Sequence, residues 1–216
     1  MLSAAFNTTV ASLPADFIIN SIGIAVFAVT GVLAGAKKGM DLFGIVVLAL
    51  ITAFGGGTIR DIILDAPVFW VENFSYVYIA IIAAIAAFYL QEQFWKTYKP
   101  LLHFDALGVA LFNVEAIDKT LALGYGAEVA VTMGLITGIA GSIIRDVLAD
   151  RPNLLLKKEM YATPIFTGGI VYVTLLCFIP QLGLINAGIG ILTVFVIRVA
   201  AIRWNLTYPK FMQIPE

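Results

Sequence analysis

The residues with the clearest chemical potential are two related runs inside apolar segments. One is Gly55-Gly56-Gly57-Thr58-Ile59-Arg60-Asp61. The other is Gly138-Ile139-Ala140-Gly141-Ser142-Ile143-Ile144-Arg145-Asp146. A glycine in a helix interior costs about 1 kcal/mol relative to alanine, so three in a row are expected to loosen or break the helix that carries them. A break frees backbone carbonyls, and lipid cannot satisfy them; such backbone must be buried in protein or line a watery path. Freed carbonyls can replace the hydration shell of a monovalent cation. Thr52, Thr58, Thr137 and Ser142 add hydroxyl oxygens near the same level. The alternative is that these glycines only let helices pack closely, which is the preferred reading for single pairs such as Gly31/Gly35 and Gly134/Gly138.

Arg60 and Arg145 are charges within apolar stretches, where a charge is costly and turns toward protein or water. Snorkelling toward a helix end is the bland alternative. Neighbouring Asp61 and Asp146 lie about 100° around the helix, which makes them poor partners. Better candidates are Asp105 for Arg145 and the matching Asn20 for Arg60. These pairs are expected to act as structural locks or as gates. Glu115, near the middle of its apolar stretch, is either a cation or proton site or a buried acid held protonated.

These residues must be positioned by membrane-spanning helices. The chain has 216 residues, 61% hydrophobic and 12% charged, with a mean hydropathy of +0.97. Soluble domains carry about 25% charged residues. This composition excludes an ordinary cytosolic domain, a disordered tail and a nucleic-acid binder; the net charge is −1, with no basic block for phosphates. One cysteine, Cys177, excludes an internal disulfide, and one histidine, His103, excludes a multi-histidine metal site. Seven stretches have the roughly 20 apolar residues needed to cross a bilayer: about 16–36, 42–64, 74–92, 104–122, 127–149, 161–180 and 184–203. The N-terminus lacks the basic start of a signal peptide and is expected to be a short exposed tail.

Nine of the basic residues (Lys37, Lys38, Lys96, Lys99, Arg151, Lys157, Lys158, Arg203, Lys210) fall on one side, and Lys119 alone falls on the other. That bias puts the first side in the cytoplasm, the N-terminus outside and the C-terminus inside, in the cell membrane. Trp70, Trp95, Trp204, Tyr98 and Tyr208 fall near span ends and suit an interfacial belt. The pair Lys157-Lys158 is expected to fix topology; touching anionic lipid is the alternative.

Residues 20–67 align without gaps on 105–152, a shift of 85. Gly23/Gly108, Phe27/Phe112, Gly39/Gly124, Gly56/Gly141, Arg60/Arg145, Asp61/Asp146, Asp65/Asp150 and Pro67/Pro152 fall in register. Hydrophobic bias does not explain matches of these types. Each copy holds three helices, about 16–92 and 104–180, and three is odd, so the second enters from the opposite side. The fold class is therefore an all-α integral membrane protein: an inverted three-helix repeat plus a seventh helix, about 184–203, in a single transmembrane domain. In such proteins the permeation or substrate site lies near the midplane, at broken helices. Asp65-Ala66-Pro67 and Asp150-Arg151-Pro152 read as helix terminators. No GxSxG, HExxH, P-loop or dinucleotide motif is present, so an enzyme is not expected.

GGGTIRD followed by DAP, and GIAGSIIRDVLADRP followed by Tyr161-Ala162, resemble the paired signatures of the prokaryotic trimeric intracellular cation (TRIC) channels. The openings Gly23-x-Ala25-x-Phe27 and Asp105-x-x-Gly108-x-Ala110-x-Phe112 resemble theirs too. The resemblance covers nearly the whole chain. It implies seven transmembrane helices, a homotrimer in membrane lipid, and one path per protomer around kinked second and fifth helices, at Gly55–Gly57 and Gly138–Gly141. It implies permeation by K⁺ or Na⁺, chiefly potassium, with no other metal and no cofactor. The animal members' Lys-Glu-Val motif is not matched at Asn113-Val114-Glu115, so their lipid and calcium regulation does not carry over. The potassium filter TVGYG is absent. The alternative function is a secondary transporter of a small neutral solute such as glycine, with Glu115 as coupling group. A membrane scaffold is a third, weaker idea.

Overall fold

The computed structural model describes residues 13–94, 99–156 and 159–209. It is all-helical. The helices are α1 (Leu13–Ala36), α2 (Leu42–Ile63), the one-turn α3 (Phe69–Glu72), α4 (Ser75–Phe94), α5 (Lys99–Ala122), α6 (Ala127–Leu148), α7 (Ala162–Phe178) and α8 (Gly183–Trp204). Among the described residues five helices are long and apolar enough to cross a membrane, namely α1, α2, α5, α6 and α8; apolar runs in α4 (Ser75–Leu90) and α7 are shorter. Large apolar side chains such as Phe43, Ile82, Val147, Phe178 and Leu192 are exposed, as expected of a surface solvated by lipid. This is an all-helical membrane protein. Lys96, Lys157, Lys158, Lys210, Trp95 and Tyr98, and the N-terminal tail up to residue 12, lie outside the described residues.

The turns repeat at the same spacing as the sequence. Gly39 (φ 68°) follows α1 and Gly124 (φ 89°) follows α5; each takes the left-handed conformation that ends a helix without a Cβ penalty. Asp65 (φ 50°) and Asp150 (φ 46°) also turn left-handed after α2 and α6, a conformation that aspartate tolerates better than most side chains. Behind them Ala66 N donates to Asp61 O at 2.9 Å, and Arg151 N to Asp146 O at 2.8 Å. Pro67 and Pro152 then prevent continuation.

The helix contacts are reciprocal. Phe27 of α1 and Phe112 of α5 stack with centroids 5.1 Å apart. Each ring also covers the other helix's glycine: Phe27 lies against Gly108 and Phe112 against Gly23.

Candidate functional site

The α2–α6 crossing is the closest approach between the two signature helices. A Cβ on Gly56 would lie 2.2 Å from Thr137 O, and one on Gly141 would lie 2.6 Å from Thr52 O. This overturns the expected break. α2 runs unbroken from Leu42 to Ile63 and α6 from Ala127 to Leu148, through all the glycines. The physical reason is that the missing side chains are used for contact: Gly55 faces Ile144, Gly57 faces the Phe69 ring, and Gly138 faces Val109. The hydroxyls are mostly engaged. Thr52 donates to Leu48 O at 2.6 Å, Thr58 accepts from Trp70 Nε1 at 3.0 Å, and Ser142 donates to Asp105 at 2.5 Å. Thr137 Oγ1 is buried without a hydrogen bond.

Beyond the crossing on α6 sits a sealed charge cluster. Arg145, Asp105 and Asp146 are all fully buried. Arg145 Nη1 donates to Asp105 Oδ1 at 2.8 Å, the partner read from the sequence, and Nε donates to Asp146 Oδ1 at 3.0 Å. Tyr161 donates to Asp105 Oδ2 at 2.9 Å, and Asp146 Oδ2 accepts from Leu154 N at 3.2 Å. Arg198 of α8 lies 4.5 Å from the Tyr161 ring centroid, a cation–π contact.

The counterpart on α2 has the same core with different partners. Arg60 Nε donates to Asp61 Oδ1 at 2.8 Å, and Asp61 Oδ2 accepts from Phe69 N at 2.9 Å. Both arginines thus pair with the aspartate next to them, contrary to the reading from helix angle. The long guanidinium stem folds back onto a carboxylate that the following turn holds in place. Arg60 also does not use Asn20; it pairs with Glu115. A neutral amide cannot compensate a buried guanidinium, and Glu115 reaches it from α5. Lys119 is in the last turn of α5, with Nζ 2.9 Å from Asp61 Oδ1.

Unlike the α6 cluster, this one opens onto a cavity of about 240 Å³, lined among others by Asp16, Asn20, Glu115, Asp118 and Lys119. Asp118 accepts from Tyr172 of α7 at 2.5 Å. Asp16 and Asp118 were missed in the sequence reading. The available signal was the i, i+3 spacing of Glu115 and Asp118, which puts both on neighbouring positions of α5. Among the described residues no group of three or more His, Cys, Asp or Glu is placed to hold a metal ion.

Fold and site together define a helical membrane protein built around two buried arginine–carboxylate clusters, one on each signature helix. The family model described as "Glycine transporter" matches residues 17–92 and 102–176. The chain is 41% identical over 196 residues to the UPF0126 inner membrane protein YadS of Escherichia coli K12, covering 89% of this chain and 94% of that one. It is 30% identical to the UPF0126 membrane protein YvgT of Bacillus subtilis, covering 89% and 95%. A solved structure of the TRIC trimeric intracellular cation channel orthologue from Rhodobacter sphaeroides superposes with a TM-score of 0.85 at 35% identity, covering 89% of this chain and 99% of that one. A prokaryotic TRIC channel solved in 0.5 M KCl gives 0.80 at 29% identity, covering 89% and 98%. The chain belongs to this prokaryotic TRIC family, the one that the glycine-transporter model describes.

Proposed function

We propose that the protein is a monovalent cation channel, passing chiefly potassium, with one path through each protomer of a homotrimer. The seven helices other than the one-turn α3 are its membrane crossings, with the N-terminus outside and the C-terminus in the cytoplasm. The first three long helices and the next three form the inverted repeat, and α8 is the unmatched seventh. The reciprocal α1–α5 and α2–α6 contacts support the repeat, as do the two segments matched by the family model. Structural neighbours named as cation channels support the function and its trimeric form.

The observation that carries this reading is the cavity. Three carboxyls (Asp16, Glu115, Asp118) and one ammonium (Lys119) line it, a balance that concentrates cations. It adjoins Arg60, one turn beyond Gly56, and so leads toward the α2–α6 crossing. In this conformation the crossing is closed by backbone contact. Conduction requires α2 and α6 to part there, bringing the oxygens of Thr52, Thr58, Thr137 and Ser142 onto the path beside Gly55–Gly57, Gly138 and Gly141. Arg60/Asp61 and Arg145/Asp146/Asp105 act as the locks on either side. The permeant ion is the only metal required.

The test is potassium flux in liposomes holding the purified protein, wild type beside Asp16→Asn/Asp118→Asn. Flux that does not saturate and falls several-fold in the double variant is expected. No potassium flux in the wild type overturns the proposal. A second reading, a glycine carrier, is favoured by the same cavity, whose carboxyls and ammonium complement a zwitterion, and by the family model's description. Saturable glycine uptake without potassium flux, with its pH dependence lost in Glu115→Gln, would establish it.

A further inference from the structure

A second cavity lies at the other end of α5, away from the acidic one. It has a volume of about 500 Å³ and is lined by Lys99 and His103 of α5, Val199, Ile202 and Arg203 of α8, and Asn205. Asn205 ends α8 in the left-handed conformation, and Leu206 N closes the turn onto Ala201 O at 3.0 Å. His103 Nδ1 is 2.7 Å from Lys99 O, which holds the ring against the first turn of α5.

Among the described residues no carboxylate lines this cavity. Among the described residues neither Lys99 nor Arg203 takes part in an ion pair, whereas Lys38, Arg60, Lys119 and Arg145 all do. In a chain only 12% charged, two uncompensated cations and an imidazole facing one space point to an anion from outside the chain. The floor, Val199 and Ile202, is apolar. The opening sits at the ends of two membrane-length helices, where bilayer headgroups lie. At about 30 Å³ per water, the space holds roughly seventeen waters, enough for a phosphate with a glycerol-sized substituent.

We propose that this cavity binds a phosphate-bearing anion, gripped by Lys99 and Arg203, with His103 and Asn205 as further polar contacts. The guanidinium presents a donor fork matched to phosphate oxygens, and basic pockets between membrane helices suit anionic headgroups. The same chemistry is offered by an anionic phospholipid and by a soluble phosphate, and the experiment separates them.

The purified full chain in detergent is titrated with phosphatidylglycerol, with phosphatidylcholine, and with inorganic phosphate. Bound adducts are counted by native mass spectrometry. Wild type is expected to retain phosphatidylglycerol in preference to phosphatidylcholine. Lys99→Gln/Arg203→Gln is expected to weaken retention roughly thirtyfold, from about 1 kcal/mol per basic side chain near an anionic surface. Lys38→Gln/Arg151→Gln removes the same charge elsewhere and is expected to retain the lipid, as is the charge-conserving Lys99→Arg/Arg203→Lys. Displacement of the lipid by millimolar phosphate assigns the site to a soluble phosphate; no displacement assigns it to the lipid. Equal retention of both anions by wild type and Lys99→Gln/Arg203→Gln overturns the proposal, as does an equal loss in the Lys38/Arg151 control.

Discussion

Replacing Asp105 by Asn removes one of two carboxylates from a fully buried arginine and weakens the acceptor shared by Tyr161 and Ser142. Taking one partner from a buried ion pair costs roughly 3–5 kcal/mol, because the other charge is left uncompensated. Asp146 still faces Arg145, which puts Asp105→Asn near the lower end. Arg145→Gln leaves two buried carboxylates and falls near the upper end. In the double variant the two losses overlap, so it is expected to cost about 2–3 kcal/mol less than their sum. On the α2 side Glu115 is 12% exposed and beside a cavity, so water screens the pair and the coupling of Arg60 with Glu115 is expected near 1 kcal/mol. Arg60 and Asn20, which the repeat alone would pair, should not couple at all. The assay is reversible unfolding in mixed micelles by titration with dodecyl sulfate, followed by near-ultraviolet circular dichroism, for each single and double variant. Additivity within about 0.5 kcal/mol at Asp105/Arg145 would refute the lock, and strong coupling of Asn20 to Arg60 would refute the assignment of partners.

Three further outcomes follow from the geometry. Gly56→Ala and Gly141→Ala place a Cβ 2.2 Å and 2.6 Å from a carbonyl oxygen of the facing helix, so each should destabilise by about 1–3 kcal/mol of overpacking, less about 1 kcal/mol regained in helix propensity. Gly188→Ala meets nothing within 4 Å and should not destabilise in the same denaturation series. Thr58→Val removes the acceptor of Trp70 Nε1, for an expected loss of about 1 kcal/mol and a shift in indole emission. The Lys38 ammonium beside Asp150 holds that carboxyl below the usual carboxylate range. A lowered folded-state pKa gives a contribution present above the unfolded value and lost as pH falls through the folded one. The melting difference between wild type and Asp150→Asn should therefore be flat above about pH 5, shrink below about pH 4, and diminish with added salt because the pair is exposed.

The helices were legible because apolar length is a strong signal and because four turns carry local chemistry: glycine after α1 and α5, Asp-x-Pro after α2 and α6. The glycine runs were misread for a physical reason. Propensity scales describe a helix competing with water for its hydrogen bonds, and in lipid there is no such competitor, so Gly55–Gly57 weaken α2 without interrupting it. Their use became visible only with the facing helix in place, where Thr137 O occupies the space a Cβ on Gly56 would need. The meeting of Asp16 with Asp118 was illegible for a different reason, although the spacing of Glu115 and Asp118 was there to be read. They lie on separate helices, Asp16 in the first turn of α1 where an acid suits the helix dipole, and only the packing of α1 on α5 brings them to one cavity.

The repeat explains the arginines, and its departures explain the asymmetry between the two clusters. Asp105 corresponds to Asn20, and Glu115 corresponds to Thr30. Under strict two-fold symmetry α1 would neutralise Arg60 as α5 neutralises Arg145. Instead α5 supplies both acids: Asp105 to Arg145 and Glu115 to Arg60. Those positions are ten residues apart, about 15 Å along the helix axis. One helix is thus pinned near both ends to the two signature helices that cross at Gly56 and Gly141. A parting of α2 and α6 must strain or release at least one pin. The sealed Arg145 cluster has fully buried carboxylates, while the Arg60 cluster borders a cavity where Glu115 can exchange the guanidinium for water or a cation. If the proposed path opens by separation of α2 from α6, the Arg60–Glu115 pair is the one expected to yield first, so that Glu115→Gln raises potassium flux in liposomes where Asp105→Asn mainly lowers stability.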